Sequence, residues 1–400
     1  MSIKAYKYRI SANKATAKKL QWVLDRCREL YNAALSERKD AYKYAGKSTN
    51  VYEQKRDLVE IKEVIRQEYQ EIASHVLQNV LFRLDKAFKA YFRRVKNGEK
   101  PGYPRFQGKS RYDSFTYPDS AGWKVESDPD SKKGQLRLSK IGTVKIKLHR
   151  KIEGTIKTLT IKREGEHWYC IFTCEIGKPE ALPVSYEDVG IDLGVTHFAA
   201  LSNREFIESP RHYRKSEKKL KKLQEALSRK KRGSHRRVRA VKRVAKAHRK
   251  IRNQRQNFLH KESRKLVNRY QIIVFEDLQT TNLIKRPKPK QDEEGKYLPN
   301  GASAKAGLNK SMSDAGWGTF VQYCTYKAAW AGRSLVQVNP KYTSQICSGC
   351  GAIVKKALSD RWHSCKCGIE LDRDTNAAKV ILDLGYQHLW GGTLPTRATA

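Results

Sequence analysis

The chain has 400 residues, with 82 Lys and Arg against 41 Asp and Glu, a formal charge of +41. Hydrophobic residues make up 39%, enough for two to four domains, which excludes disorder throughout. No run of about 18 apolar residues occurs, which excludes a transmembrane helix. The start, Met1-Ser-Ile-Lys-Ala-Tyr-Lys-Tyr-Arg9, has no apolar core for a secretion signal, so a soluble intracellular protein is expected. In that setting eight cysteines point to metal ligation before disulfides. A charge this basic repels itself unless an anion neutralises it. With 10% aromatics among the cations, that anion is expected to be nucleic acid.

The first hundred residues predict three amphipathic helices. Leu20, Val23, Leu24, Cys27, Leu30, Tyr31 and Ala34 recur at steps of three and four, and Cys27 in that stripe reads as a small core residue. Leu58, Ile61, Val64 and Ile65 begin a second stripe. Leu77, Val80, Leu81, Leu84, Ala87, Phe88, Tyr91 and Phe92 form a third, ending at Asn97-Gly98. Pro101, Gly102 and Pro104 then break the helical period. Val144, Ile146 and Leu148, and later Trp168, Cys170, Phe172, Cys174 and Ile176, alternate with other residues. They predict a small antiparallel sheet or barrel over about 103–180, with Cys170 and Cys174 as core.

A new domain is expected from residue 187, where an apolar strand over 187–201 carries Asp192 in its middle. Residues 211–270 hold 25 Lys and Arg against Glu217, Glu225 and Glu262. That density predicts a helical hairpin turning at Gly233-Ser234 and lying along a phosphate backbone. A second apolar strand over 271–278 carries Glu276, with Asp277 facing the opposite way. Residues 285–311 lack periodicity and predict a mobile loop. Asp374 opens a helix with Ala378, Ile381 and Leu382 on its buried side and Gly385 as its stop.

Two strand acids and one helix-start acid can converge and hold hard divalent cations. Two such ions would activate a water and stabilise the leaving oxygen of a phosphodiester. Taken singly the acids say less: Asp372 or Asp374 could simply cap the helix, and His197 reads as a packed histidine. The cysteines are more specific. Cys347-Ser-Gly-Cys350 and Cys365-Lys-Cys367-Gly368 form two pairs beside glycines, suited to one tetrahedral zinc, although the second pair is one residue short of the usual spacing and His363 could replace one thiol.

Several runs then point to a family: Ser313-Asp-Ala-Gly-Trp-Gly-Thr-Phe320, Tyr326-Lys-Ala-Ala329, Asn339-Pro-Lys-Tyr-Thr-Ser-Gln-Ile-Cys-Ser-Gly-Cys-Gly351 and Asp372-Arg-Asp-Thr-Asn-Ala-Ala378. With Gly98-Glu-Lys-Pro-Gly-Tyr-Pro-Arg-Phe106 and Tyr112-Asp-Ser-Phe-Thr-Tyr-Pro118, they resemble TnpB. These proteins, long called OrfB transposases, are transposon-encoded RNA-guided nucleases related to compact type V CRISPR effectors. The resemblance spans almost the whole chain. Its departures are the short Cys365-x-Cys367 pair and Val380, where the family often has Asn.

The resemblance implies an α+β multidomain protein. Residues 1–10 would give the first strand of a wedge β-barrel, 11–102 a helical recognition domain and 103–182 the rest of the barrel. A RuvC-like nuclease domain of RNase H fold, a mixed sheet with helices, would occupy 183–343 and include the basic hairpin. A zinc knuckle would be inserted at 344–368, with the end of the nuclease domain and a tail at 369–400. The catalytic acids fall on Asp192, Glu276 and Asp374, holding two Mg2+; Cys347, Cys350, Cys365 and Cys367 would hold one structural Zn2+. The implied partners are a guide RNA from the transposon end and target double-stranded DNA, bound by a monomer in the prokaryotic cytoplasm. Cutting would fall beside a short transposon-adjacent motif. Two rivals are a DNA-joining transposase and a non-catalytic RNA-guided repressor.

Overall fold

The computed structural model describes residues 2–127, 131–357 and 360–391. They fall into two compact units, Met1–Lys178 and Pro179–Ala400. The part of the expected tail at 392–400 lies outside the described residues. No helix among the described residues is long and apolar enough to cross a membrane.

In the first unit, strand β1 (Ser2–Ser11) turns Tyr6, Tyr8 and Ile10 inward and alternates them with more exposed residues. Helix α1 (Lys14–Ala45) starts where the Asn13 side chain accepts the Thr16 N–H (2.7 Å) and ends at Gly46, in the left-handed region. Its buried side carries the first predicted stripe, Cys27 included. Helix α2 (Val51–Glu60) opens on a reciprocal cap between Asn50 and Glu53. The second stripe does not extend as predicted. After Leu58 the chain widens into a π-turn over Ile61–Ile65, which swings Val64 and Ile65 out to 70% and 66% exposure. Helix α3 (Ser74–Lys96) follows the third stripe and stops at Asn97, although Phe92, near its end, is exposed.

Six more strands complete one antiparallel sheet: β2 (Ser114–Tyr117), β3 (Trp123–Glu126), β4 (Lys133–Leu138), β5 (Gly142–Lys147), β6 (Thr155–Glu164) and β7 (His167–Ile176). The order is β2-β6-β7-β1-β5-β4-β3. No ladder joins β2 to β3, so this is a curled sheet whose ends meet through side chains. The Tyr117 hydroxyl, on β2, donates to the Ser139 carbonyl just after β4 (3.1 Å). Cys170 and Cys174 are fully buried, and burial pushes the Cys170 thiol up to about 12, as befits core residues.

The second unit is built on β8 (Asp188–Asp192), β9 (His197–Leu201) and β10 (Phe206–Glu208). The single strand expected over 187–201 is therefore two, broken after Asp192, and the acid stands at a strand end. Helices α4 (His212–Ser228) and α5 (His235–Arg269) form the basic hairpin. Gly233 takes a positive φ of 84° in its turn, and the Ser234 hydroxyl accepts the Arg237 N–H (3.2 Å). Next come β11 (Ile272–Glu276), α6 (Thr280–Leu283), the short pair β12 (Lys290–Gln291) and β13 (Tyr297–Leu298), and α7 (Ala302–Ala315). The loop expected over 285–311 thus ends at Ala302, because the Ala-rich run from there winds into helix. Helix α8 (Trp317–Ala331), β14 (Ser334–Val338), the hairpin β15 (Trp362–Ser364) and β16 (Glu370–Asp372), and α9 (Arg373–Trp390) complete the unit.

The central sheet runs β10-β9-β8-β11-β14, with β8, β11 and β14 parallel. One face packs Ile191 and Phe275 into a core with Leu259, Phe320 and Cys324 of α5 and α8. The other packs Val274, Val336 and Val338 against Ile381 and Leu382 of α9. Two glycines permit that second contact. A Cβ on Gly190 would lie 2.0 Å from the Ala378 carbonyl, and one on Gly385 would lie 2.4 Å from Val274. Gly385 is therefore a packing residue inside α9, and the helix stops at Gly391 (φ 68°) instead.

Candidate active site and metal centre

Period-two alternation puts Gly190 and Val274 on the α9 face of the sheet, and it puts Asp192 and Glu276, two residues on, on the same face. Parallel pairing of Ile191 with Phe275 sets both acids at adjacent strand ends. Asp374 sits in the first turn of α9. That turn is fixed by Asp372, whose side chain accepts the N–H groups of Asp374 (3.0 Å) and Thr375 (3.1 Å). Asp372 is the cap, as its position allowed. Asp277 is exposed and faces away from Glu276, donating its N–H to the Val338 carbonyl (2.8 Å).

Asp192 feels the other two acids. Burial, then the charges of Glu276 and Asp374, hold the Asp192 carboxyl well above the usual carboxylate range. Asp374 is raised by burial and by Asp372, against the opposing charges of Arg361, Arg373 and His197. Glu276 is buried and raised for that reason, while the Thr343 hydroxyl, donating to its Oε1, pulls the other way. One buried and two half-buried carboxylates, placed so that two of them act on the third, suit a hard divalent cation, which would relieve the repulsion. Among the described residues, however, only the four cysteines bring their ligand atoms within 4.8 Å of one another. His197 is half-exposed, packs at a tilt against Phe206 and pairs through Nδ1 with Glu208 (2.9 Å).

The thiols of Cys347, Cys350, Cys365 and Cys367 form a single cluster, with Cys347–Cys367 and Cys350–Cys365 sulfurs both 3.6 Å apart. Four thiols without a disulfide match the donor set of a closed zinc site. Burial pushes the Cys347 thiol up, but hydrogen bonds from the Cys350 and Gly349 N–H groups and from His363 outweigh it and bring the thiol to about 6. His363 is fully buried beside the cluster, with Lys356 Nζ against its Nδ1. The four thiols cluster without it.

Two site residues carried no signal in spacing. Thr343 reaches Glu276 from the loop after β14. Asn376 is fully buried, accepts the Ser348 N–H (3.0 Å) and donates to the Ile346 carbonyl (2.7 Å). A polar amide inside the buried run Thr375–Ala378 was the visible clue to the second.

Comparison with known proteins finds matches along most of the chain. A family model described as "Probable transposase" (OrfB of IS605) matches residues 171–286, a Cas12f1-like TNB domain matches 317–381, and a helix-turn-helix domain matches 1–47. A Streptomyces pristinaespiralis protein named "Putative RNA-guided DNA endonuclease" is 32% identical over 96% of this chain and 89% of its own length. InsQ of Escherichia coli (strain K12), which carries the same description, is 29% identical over 98% of this chain and 94% of its own. The solved Cas12f1-sgRNA-target DNA complex superposes with a TM-score of 0.57 at 13% identity, covering 92% of this chain and 83% of that one, which shows a shared fold. By its motifs and by these full-length relatives, the chain belongs to the TnpB family.

Proposed function

We propose that this chain is a transposon-encoded RNA-guided DNA endonuclease. What supports the reading is that Asp192 and Glu276 end adjacent parallel strands, that Asp374 lies in the first turn of α9, and that the charges of Glu276 and Asp374 both act on Asp192. Sheet and helix together form the RuvC-like domain in this reading. The three carboxylates would hold two Mg2+, and the bound ions supply an activated water and charge stabilisation at the leaving oxygen. Thr343 keeps Glu276 turned toward the site, and Asp372 keeps the first turn of α9 closed. The four thiols would hold one structural zinc.

The hairpin of α4 and α5 would lie along RNA or the guide–target heteroduplex, reading backbone shape through phosphate contacts. The helices over 11–102 would form the recognition domain, and β1 with the sheet over 103–182 the wedge. These parts would grip the short flanking motif and the start of the guide duplex. The guide would come from the transposon end, the target would be double-stranded DNA, and the chain would act as a monomer in the prokaryotic cytoplasm. A repressor would have no use for these three acids, which disfavours that rival. A joining enzyme would return ligated ends.

The test is substitution of each acid singly with Ala in the RNA-bound protein. Magnesium-dependent cutting of guide-matched plasmid should vanish in all three variants while target binding persists. Cutting retained by Asp192→Ala would overturn the assignment, and strand-joined products from the wild type would favour the transposase.

A further inference from the structure

Asn376 is an amide where its neighbours need none. Thr375, Ala377, Ala378 and Val380 around it are buried, and Asn376 itself is 0% exposed. Burying an amide costs stability unless both its donor and its acceptor are satisfied. Both are, and both by the thiol knuckle: Ser348 N–H donates to Oδ1 and Nδ2 donates to the Ile346 carbonyl. Ile346 and Ser348 flank Cys347, so the amide grips the backbone on either side of one thiol. Two residues earlier, in the same helical turn, stands Asp374.

The chain itself makes a second tie. Cys365 and Cys367 lie in the turn between β15 and β16, and β16 ends at Asp372, which caps α9 and accepts the Asp374 N–H. Asp374 is thus held to the knuckle through the backbone of β16 and through the side chain of Asn376. A knuckle closed on its metal fixes Ile346 and Ser348, and through Asn376 it fixes the turn that carries Asp374.

We propose that Asn376 is a positioning residue that couples the two metal sites, so that zinc at the thiols strengthens divalent-cation binding at the acids. The proposal rests on the reading of Asp192, Glu276 and Asp374 as a metal site. Coupling of binding free energies is reciprocal, so filling the acids strengthens zinc retention in turn. Changing residues that orient metal ligands typically costs about 10–100-fold in affinity or activity.

The experiment titrates Mn2+ into the RNA-bound protein and follows free Mn2+ by electron paramagnetic resonance, with no cleavage required. Zinc-loaded wild type should bind Mn2+ about 10-fold or more tightly than zinc-depleted wild type. Asn376→Leu, of similar size but without the amide, should retain its zinc yet bind Mn2+ as weakly as the depleted wild type. Asn376→Asp keeps the acceptor for Ser348 but sets an anion against the Ile346 carbonyl, and should behave likewise if Asn376→Leu fails to fold. In cleavage assays the half-saturating Mg2+ concentration should rise by a similar factor, a shift that loss of global stability does not produce. Mn2+ affinity indifferent to zinc in the wild type would overturn the coupling, as would affinity unchanged in a folded Asn376 variant. Asp374→Ala separates the two ideas: Mn2+ binding unchanged in that variant would overturn the metal-site reading itself.

Discussion

Asp192 is held at a strand end beside two other carboxylates, and without a cation its charge works against the fold. Its folded-state pKa lies above the unfolded value, so the folded protein binds the extra proton. Stability is then highest at or below the unfolded carboxylate range and falls as pH rises toward the shifted value. Asp192→Asn should therefore raise the melting temperature of the metal-free protein near neutral pH and flatten its pH dependence. Each kcal/mol gained corresponds to about 2–4 °C for a unit of this size. Scanning calorimetry from pH 5 to 8 in chelator checks this, and a lower melting temperature in Asp192→Asn would contradict it. Acidification should also weaken cation binding, since the ligands must be ionised.

At the scale of elements, α9 lies close on the sheet only because Gly190 and Gly385 lack side chains there. A Cβ on Gly385 would meet Val274 at 2.4 Å. Gly385→Ala should cost about 1–3 kcal/mol by overpacking, read as an earlier denaturant midpoint, and it should lower cleavage if α9 shifts. The knuckle gives a second expectation. Purified without chelators, the protein should carry about one zinc per chain, and Cys350→Ser should lose it along with local order. Elemental analysis showing no zinc would contradict the four-thiol assignment.

These elements also show what sequence pattern can carry. The apolar stripes of α1 and α3 repeat cleanly enough to mark the helices, and Gly233-Ser234 marks the hairpin turn. The three acids and four cysteines stand out in sequence as members of the quoted motifs. Period alone does not reveal that the helix carrying Leu58 gives way to a π-turn that takes in Val64 and Ile65, nor that the strand bearing Asp192 ends at it. Gly385 reads as a helix stop from one dimension because its reason, contact with Val274, lies on a strand more than a hundred residues away. Thr343 and Asn376 escaped for the same reason, since their partners are set by the tertiary fold.

At the scale of the whole molecule, the charge of +41 dominates. Residues 211–270 hold 25 Lys and Arg against three acids, and α4 buries only Leu220 among its residues. Such a surface should leave RNA-free protein poorly soluble at low salt, and its association with RNA should weaken steeply as salt rises, each neutralised phosphate contributing a slope of nearly one. What directs the cut is the sharper question. The decisive measurement is sequencing of plasmids cut from a library with randomised bases flanking one guide-matched site. The expected result is cleavage only with a complementary guide, only beside one short fixed motif, and with mismatches next to that motif most damaging. Cleavage that ignores the guide, or that persists in protein stripped of RNA, would contradict it.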